Sequence, residues 1–229
     1  MLPRSGRREV HAETFWRSVL ADLFVLAYRY ECSRLPATGR IYSWHPRLFA
    51  DPLRDEFLRD GANQRPGPYG GSFENRARLM LEVIEAVSGV RGSSRVGLRI
   101  SPLNSYNSML DSDPIALATW LAGRLNDFDL ADLHLMRADF FGQQSGDVVS
   151  PVRRHYKGVL IGNMDHTPDA AEQAVATGKL GAVAFGTGFL ANPDLPARIR
   201  LAAPLNQPRP ATFYSPGPEG HADYPALDD

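Results

Sequence analysis

Apolar and polar positions alternate along this chain with two periods, helical in some segments and short-run in others. The clearest helical period runs over 73–87. Leu79, Met80, Val83, Ile84 and Val87 share one face, and Glu74, Arg78, Glu82 and Glu85 lie away from it. Ser72 stands at the N-cap position. A second stripe, Phe15, Trp16, Val19, Leu20, Leu23, Phe24 and Ala27, predicts a helix over 11–30. Pro36, Gly39 and Pro46 break the pattern over 35–51, which reads as loop, and 60–72 is rich in turn residues. Asp113-Pro114 opens a helix through about Asn126, 151–156 reads as a helical turn, and 194–202 as a last short helix. From Pro204 onward the chain is a proline-rich run of loops.

Four short apolar runs lie between these helices, at 95–101, 130–136, 158–164 and 182–186, and they read as strands. Nothing before residue 95 reads as a strand. Thr167-Pro168 begins the helix between the last two runs; Ala170, Ala171, Ala174 and Val175 form its apolar stripe, and Gly178 ends it. Alternating helix and strand predicts an α/β fold with a parallel sheet. A complete eight-fold β/α barrel takes about 250 residues and eight strands. The expected architecture is therefore a partial, half TIM-type barrel of four parallel strands. Its open edges and uncovered face would need the N-terminal helix or a second copy of the chain, which makes a homo-oligomer an expectation. The last two strands both end in glycine close to a helix start. Glycine permits close approach and backbone N–H groups face the gap, an arrangement suited to an anion such as phosphate.

Composition narrows the function classes. A net charge of −1 argues against nucleic acid and anionic membrane surfaces as partners. Residues 1–50 are locally basic, with eight Arg against four acidic residues. A single cysteine, Cys32, excludes an intramolecular disulfide and a multi-cysteine metal site, so a reducing cytoplasm is the expected setting. The apolar run 19–28 is interrupted by Asp22, lacks a clear cleavage site and is too short to span a bilayer. His11, His155, His166 and His221 form no metal-spaced pair, and His134 reads as a core or barrel-interior group. No Gly-x-Ser-x-Gly, Walker or dinucleotide-fold motif is present.

Several longer stretches point to a known family. They are Phe57-Leu-Arg-Asp-Gly-Ala-Asn-Gln-Arg65, Tyr69-Gly-Gly-Ser-Phe-Glu-Asn-Arg-Ala-Arg78, Gly97-Leu-Arg-Ile-Ser-Pro102 and Phe185-Gly-Thr-Gly-Phe-Leu-Ala-Asn-Pro-Asp-Leu195. Ala211-Thr-Phe-Tyr214 and Glu219-Gly-His-Ala-Asp-Tyr-Pro225 continue the series. Over about 55–227 the chain resembles the second half of the Old Yellow Enzyme family, FMN-dependent NAD(P)H oxidoreductases on a (β/α)₈ barrel. The resemblance implies two segments, a divergent 1–54 and an FMN-binding half barrel at 55–229. It implies reduction of activated C=C bonds in a small molecule such as an enone or quinone, with FMN as cofactor and NAD(P)H as reductant. It places Arg99 beside the flavin pyrimidine edge, where a fixed guanidinium stabilises the charge of reduced flavin. It places the phosphate on the backbone at Gly162, Asn163 and Met164 and at Gly186 and Thr187, and Tyr214 in the substrate pocket. Met164 stands where many relatives have glycine, and Thr187 where many have arginine.

The family's substrate-binding histidine pair and proton-donating tyrosine correspond by counting to Arg47, Ala50 and Pro52. Neither alanine nor proline donates a hydrogen bond from its side chain. His45 is out of register, so no catalytic residue is identified. A second class therefore stays open: a truncated or frame-disrupted non-catalytic remnant, or an interaction module. The sharp boundary near Phe57, with resemblance after it and none before, motivates it, and the use of 23 Arg against 2 Lys suggests GC-rich coding, in which a shifted frame stays open for long stretches.

Overall fold

Residues 47–48 and 56–227 are described by the computed structural model. The helix expected over 11–30, the boundary expected at 54/55, and Cys32, His45, Ala50 and Pro52 lie outside the described residues. The four expected strands are present as β2 (Gly97–Ile100), β3 (Asp132–Met136), β4 (Leu160–Asn163) and β5 (Ala182–Ala184). They lie side by side in chain order, and every pairing is parallel. One expectation is corrected. Arg47–Leu48 is a short strand, β1, which pairs parallel to β2 with Arg47 opposite Gly97 and Leu48 opposite Leu98. Two residues are too few for any period to show, and only the neighbouring strand reveals them.

The helices follow from local signals. Ser72 caps α1 (Phe73–Arg91) by accepting from the Asn75 N–H at 3.4 Å, and Gly92, at φ 88°, ends it beyond the predicted Val87. Asp113 caps α2 (Pro114–Leu125) through the Ala116 N–H at 2.9 Å. The turn at 151–156 is a seven-residue helix, α3 (Val149–His155). Thr167 caps α4 (Pro168–Ala176) through the Ala170 N–H, and Gly178 leaves it at φ 71°. Then come α5 (Thr187–Ala191), which the pattern missed, and α6 (Leu195–Leu201). The apolar stripe predicted for α4 is only half right: Ala171 is buried and Ala174 packs on the core, whereas Ala170 and Val175 are exposed.

The strand period of two divides the sheet into unlike faces. Leu98, Ile100, Leu133, Leu135 and Leu160 join one core with Val83, Ile84 and Val87 of α1 and Leu117, Leu121 and Leu125 of α2. The alternate positions are Gly97 and Arg99 in β2, Asp132, His134 and Met136 in β3, and Ile161 and Asn163 in β4, with Arg99 opposite His134 and His134 opposite Ile161. One sheet face is thus apolar and covered by helices, and the other carries the polar groups that the site uses. His134 is buried there, as expected.

A buried polar cluster ties residues 58–72 to the loop after β2. Arg76 and Asp111 form an ion pair at 2.5 Å with side chains 3% and 0% exposed. Arg76 also donates to the Leu58 and Gly71 carbonyls, and Asp111 accepts from the Asp60 and Asp113 N–H groups. The buried Arg59 guanidinium donates to the Ser101 and Pro102 carbonyls.

Candidate functional site

The loops that leave the C-terminal ends of parallel strands form the face where β/α folds place their chemistry. Arg99 sits in β2, half-buried on the polar face. Its Nη2 donates to Asn163 Oδ1 at 3.3 Å and approaches Met136 Sδ at 3.8 Å. Asn163 in turn donates through Nδ2 to the Ala184 carbonyl at 3.0 Å. One hydrogen-bonded chain therefore crosses from β2 to β5 and fixes a guanidinium on the polar face.

After Asn163 the backbone enters the left-handed region twice in succession, at Met164 (φ 75°) and Asp165 (φ 52°). The family resemblance implies glycine at this position, and Met164 adopts a glycine-type conformation without being one. An L-residue there costs roughly 1–2 kcal/mol. Arg137, just past β3, binds this turn. Its backbone N–H donates to the Asn163 carbonyl at 3.1 Å, its Nε to the Met164 carbonyl at 2.7 Å, and its Nη2 to the Asp165 carbonyl. Nothing in the linear pattern marked Arg137.

Gly186 and Thr187 lie at the start of α5, both exposed, and a Cβ on Gly186 would meet open space. The first N–H groups of any helix have no carbonyl partner within it. The donor set of Arg99 with the backbone N–H groups of two adjacent strand ends, β4 and β5, is of a kind that fits an anionic, carbonyl-bearing ring system with a phosphate tail.

Gly162 has a different reason to be glycine. A Cβ there would collide with Leu180 Cδ1 and stand 3.1 Å from His166 Nε2, so the missing side chain is a packing requirement on the helical side. Gly162→Ala is expected to lower stability by about 1–3 kcal/mol through overpacking, read as a fall in the urea midpoint with unchanged slope. Tyr214 is fully exposed, at 101%.

His166 follows the strained turn. Burial first, then the cations of Arg137 and Lys179, hold its imidazole below the ordinary 6.5, and Asp165 opposes them. A depressed imidazole value means that stability is complete above 6.5 and is lost as pH falls through the folded value. Asp147 and Lys179 line the same cleft as His166 and Arg137, a space of about 600 Å³ that none of the predicted site residues lines. The urea midpoint should fall less between pH 7.5 and pH 5.5 in His166→Gln than in the unaltered chain, because the variant lacks the group whose protonation is disfavoured in the fold.

An exposed aromatic group stands on the loops after β2 and β3, also unforeseen. The Tyr106 and Phe141 rings stack at 6.0 Å with planes 8° apart, and Phe140 meets Phe141 edge-on. Asp139 holds these loops together. It accepts from the Ser105 N–H and hydroxyl and from the N–H groups of Phe141, Gln143 and Gln144. Burial opposes its ionisation, but these donors outweigh it and keep the carboxyl well below the usual range.

Residues 52–206 match the model of the NADH:flavin oxidoreductase / NADH oxidase family. The chain belongs to this family. It is 49% identical over 175 residues to a probable flavin mononucleotide-dependent alkene reductase of Leishmania infantum, covering 76% of this chain and 48% of that one. It is 39% identical over 181 residues to 12-oxophytodienoate reductase 2 of Arabidopsis thaliana, covering 77% and 48%. Among solved structures, the old yellow enzyme of Trypanosoma cruzi superposes with TM-score 0.74 at 44% identity, over 76% of this chain and 47% of that one. Morphinone reductase superposes with TM-score 0.80 at 36% identity, over 100% and 60%. The resemblance read from the sequence motifs and the partial β/α barrel architecture are both shown. The chain spans about half the length of the curated relatives it matches.

In this setting β1 gains meaning. The family's substrate-binding histidine corresponds by counting to Arg47, and Arg47 occupies a strand position beside β2, opposite Gly97. Among the described residues no helix is long and apolar enough to cross a membrane.

Proposed function

We propose that this chain binds FMN and acts as an NAD(P)H-dependent oxidoreductase of the Old Yellow Enzyme type on a small molecule with an activated C=C bond, an enone or quinone. The observation that carries the reading is Arg99, presented on the polar face by Asn163 and flanked by the strand-end loops of β4 and β5. FMN, when bound, supplies hydride transfer between NAD(P)H and the alkene. The residues proposed to hold it are Arg99 at the pyrimidine edge, and Gly162, Asn163, Met164, Gly186 and Thr187 around the phosphate. With Thr187 in place of arginine, phosphate binding rests on backbone N–H groups and a hydroxyl, and a charge-assisted contact worth about 1.5–3 kcal/mol is absent. The stacked pair Tyr106 and Phe141 offers a flat surface to a conjugated substrate at the same end of the sheet, and Tyr214 is a further proposed wall. A reducing cytoplasm and assembly with a second copy belong to this reading, as does a half-barrel segment over 55–229.

Titration of FMN into the protein tests it. The expected result is quenched flavin fluorescence with a defined Kd, and a weaker Kd in Arg99→Gln. Protein that purifies colourless and leaves flavin fluorescence unchanged overturns the proposal. The second reading, a non-catalytic remnant or interaction module, is favoured by Arg47 at the histidine position and is decided by the turnover experiment below.

A further inference from the structure

The turn Met164–Asp165 is held by an arginine that the family resemblance did not mark. Two consecutive non-glycine residues in the left-handed region are strained, and such strain persists only where the surroundings over-determine it. Met164 has φ 75° and Asp165 φ 52°. A single side chain, Arg137, donates from Nε to the carbonyl of the first (2.7 Å) and from Nη2 to the carbonyl of the second. Its own N–H extends the β3–β4 ladder by one more bond, to the Asn163 carbonyl at 3.1 Å. The guanidinium is a rigid planar fork, so binding two successive carbonyls fixes the orientation of the peptide planes between them. Each peptide plane also carries the N–H on its opposite edge. Turning both carbonyls toward Arg137 turns the Asp165 and His166 N–H groups the other way, so that they continue the 162–164 segment on the side proposed for the phosphate.

We infer that Arg137 is a positioning residue for the phosphate-facing turn after β4, replacing the conformational freedom that a glycine at 164 would supply. The inference rests on the flavin reading only for what the turn binds; the clamp itself is a property of the chain. It makes one strong demand. Arg137 and Met164 must be coupled, because the clamp is needed only while residue 164 resists its backbone conformation. Glycine at 164 removes that resistance at no steric cost.

The experiment is a double-substitution cycle on the full chain. Arg137→Ala should raise the FMN Kd by about 10-fold, the loss of roughly one charge-assisted hydrogen bond. Riboflavin, which lacks the phosphate, should bind Arg137→Ala as it binds the unaltered protein. Adding Met164→Gly to Arg137→Ala should return the FMN Kd to within about 2-fold of the starting value. Arg137→Lys, with one point donor instead of a fork, should fall between. Backbone amide order parameters at 164–166 give a readout that needs no flavin: Arg137→Ala should lower them while those of β3 and α2 stay unchanged. Equal losses for FMN and riboflavin, unchanged order parameters, or no recovery with Met164→Gly each overturn the inference. If the unaltered protein binds neither flavin, the functional reading fails, and the order parameters still decide the clamp.

Discussion

Anaerobic NADPH oxidation driven by 2-cyclohexenone should be at least about 10²-fold slower with this chain than with an intact relative. Ene reduction needs the substrate oxygen held flat over the flavin and a proton delivered opposite the hydride. Positioning and general acid catalysis each contribute orders of magnitude, about 10²–10⁴ for proton transfer alone. The positions assigned to both tasks carry Arg47, Ala50 and Pro52. The strand that presents the first of them is present, since Arg47 lies opposite Gly97 in β1. An arginine there can bind an oxygen as a cation, but a guanidinium does not release a proton near neutral pH. Proline at 52 has no donor at all. The unaltered chain should therefore add little enone-dependent NADPH oxidation to the anaerobic baseline without enone, where no electron acceptor is present. Arg47→His with Ala50→Asn and Pro52→Tyr should create an enone-dependent component. Brisk enone-dependent turnover by the unaltered chain would show that another group donates the proton, and would set aside the non-catalytic reading.

Arg76→Met should cost about 3–5 kcal/mol of stability, the typical penalty for leaving one member of a buried ion pair unpaired. Both side chains are nearly inaccessible, so water cannot solvate the Asp111 carboxylate left behind. The cost reaches beyond the pair. Arg76 also serves the Leu58 and Gly71 carbonyls, and Asp111 anchors the Asp60 and Asp113 N–H groups. Arg76→Lys should recover only part of the loss, because one ammonium cannot reach three separate acceptors in a fixed fork. Urea unfolding followed by circular dichroism measures both variants. A loss below about 1 kcal/mol for Arg76→Met would mean that the pair behaves as a solvated surface bridge.

The parts of the site that were legible in the sequence were those written as contiguous motifs. Gly97 to Pro102 marked Arg99, and Phe185 to Leu195 marked the second loop. Arg137 was illegible because its partners are backbone carbonyls 27 and 28 positions away, and a carbonyl has no sequence signature. Gly162 was legible as a glycine but not in its reason: the crowding of a side chain there comes from the Leu180 side chain, on the far side of α4. The aromatic stack was missed because Tyr106 and Phe141 sit on different loops, brought together through Ser105 and Asp139.

What the sequence by itself determined is the local layer of this protein. Ser72, Asp113 and Thr167 start their helices by capping N–H groups three residues ahead, and Gly92 and Gly178 stop theirs with positive φ; these interactions span a single turn, so adjacent residues suffice to specify them. The alternation of those helices with four apolar runs was enough to require a parallel sheet. Tertiary structure alone decided the rest. It recruited Arg47–Leu48 as a strand through pairing with β2, left Val175 exposed on a stripe that local spacing assigned to the core, and held Met164 in a conformation that its own side chain disfavours. In each case the deciding energy comes from groups distant along the chain, a neighbouring ladder, an uncovered surface or the Arg137 fork, and so no local pattern records it.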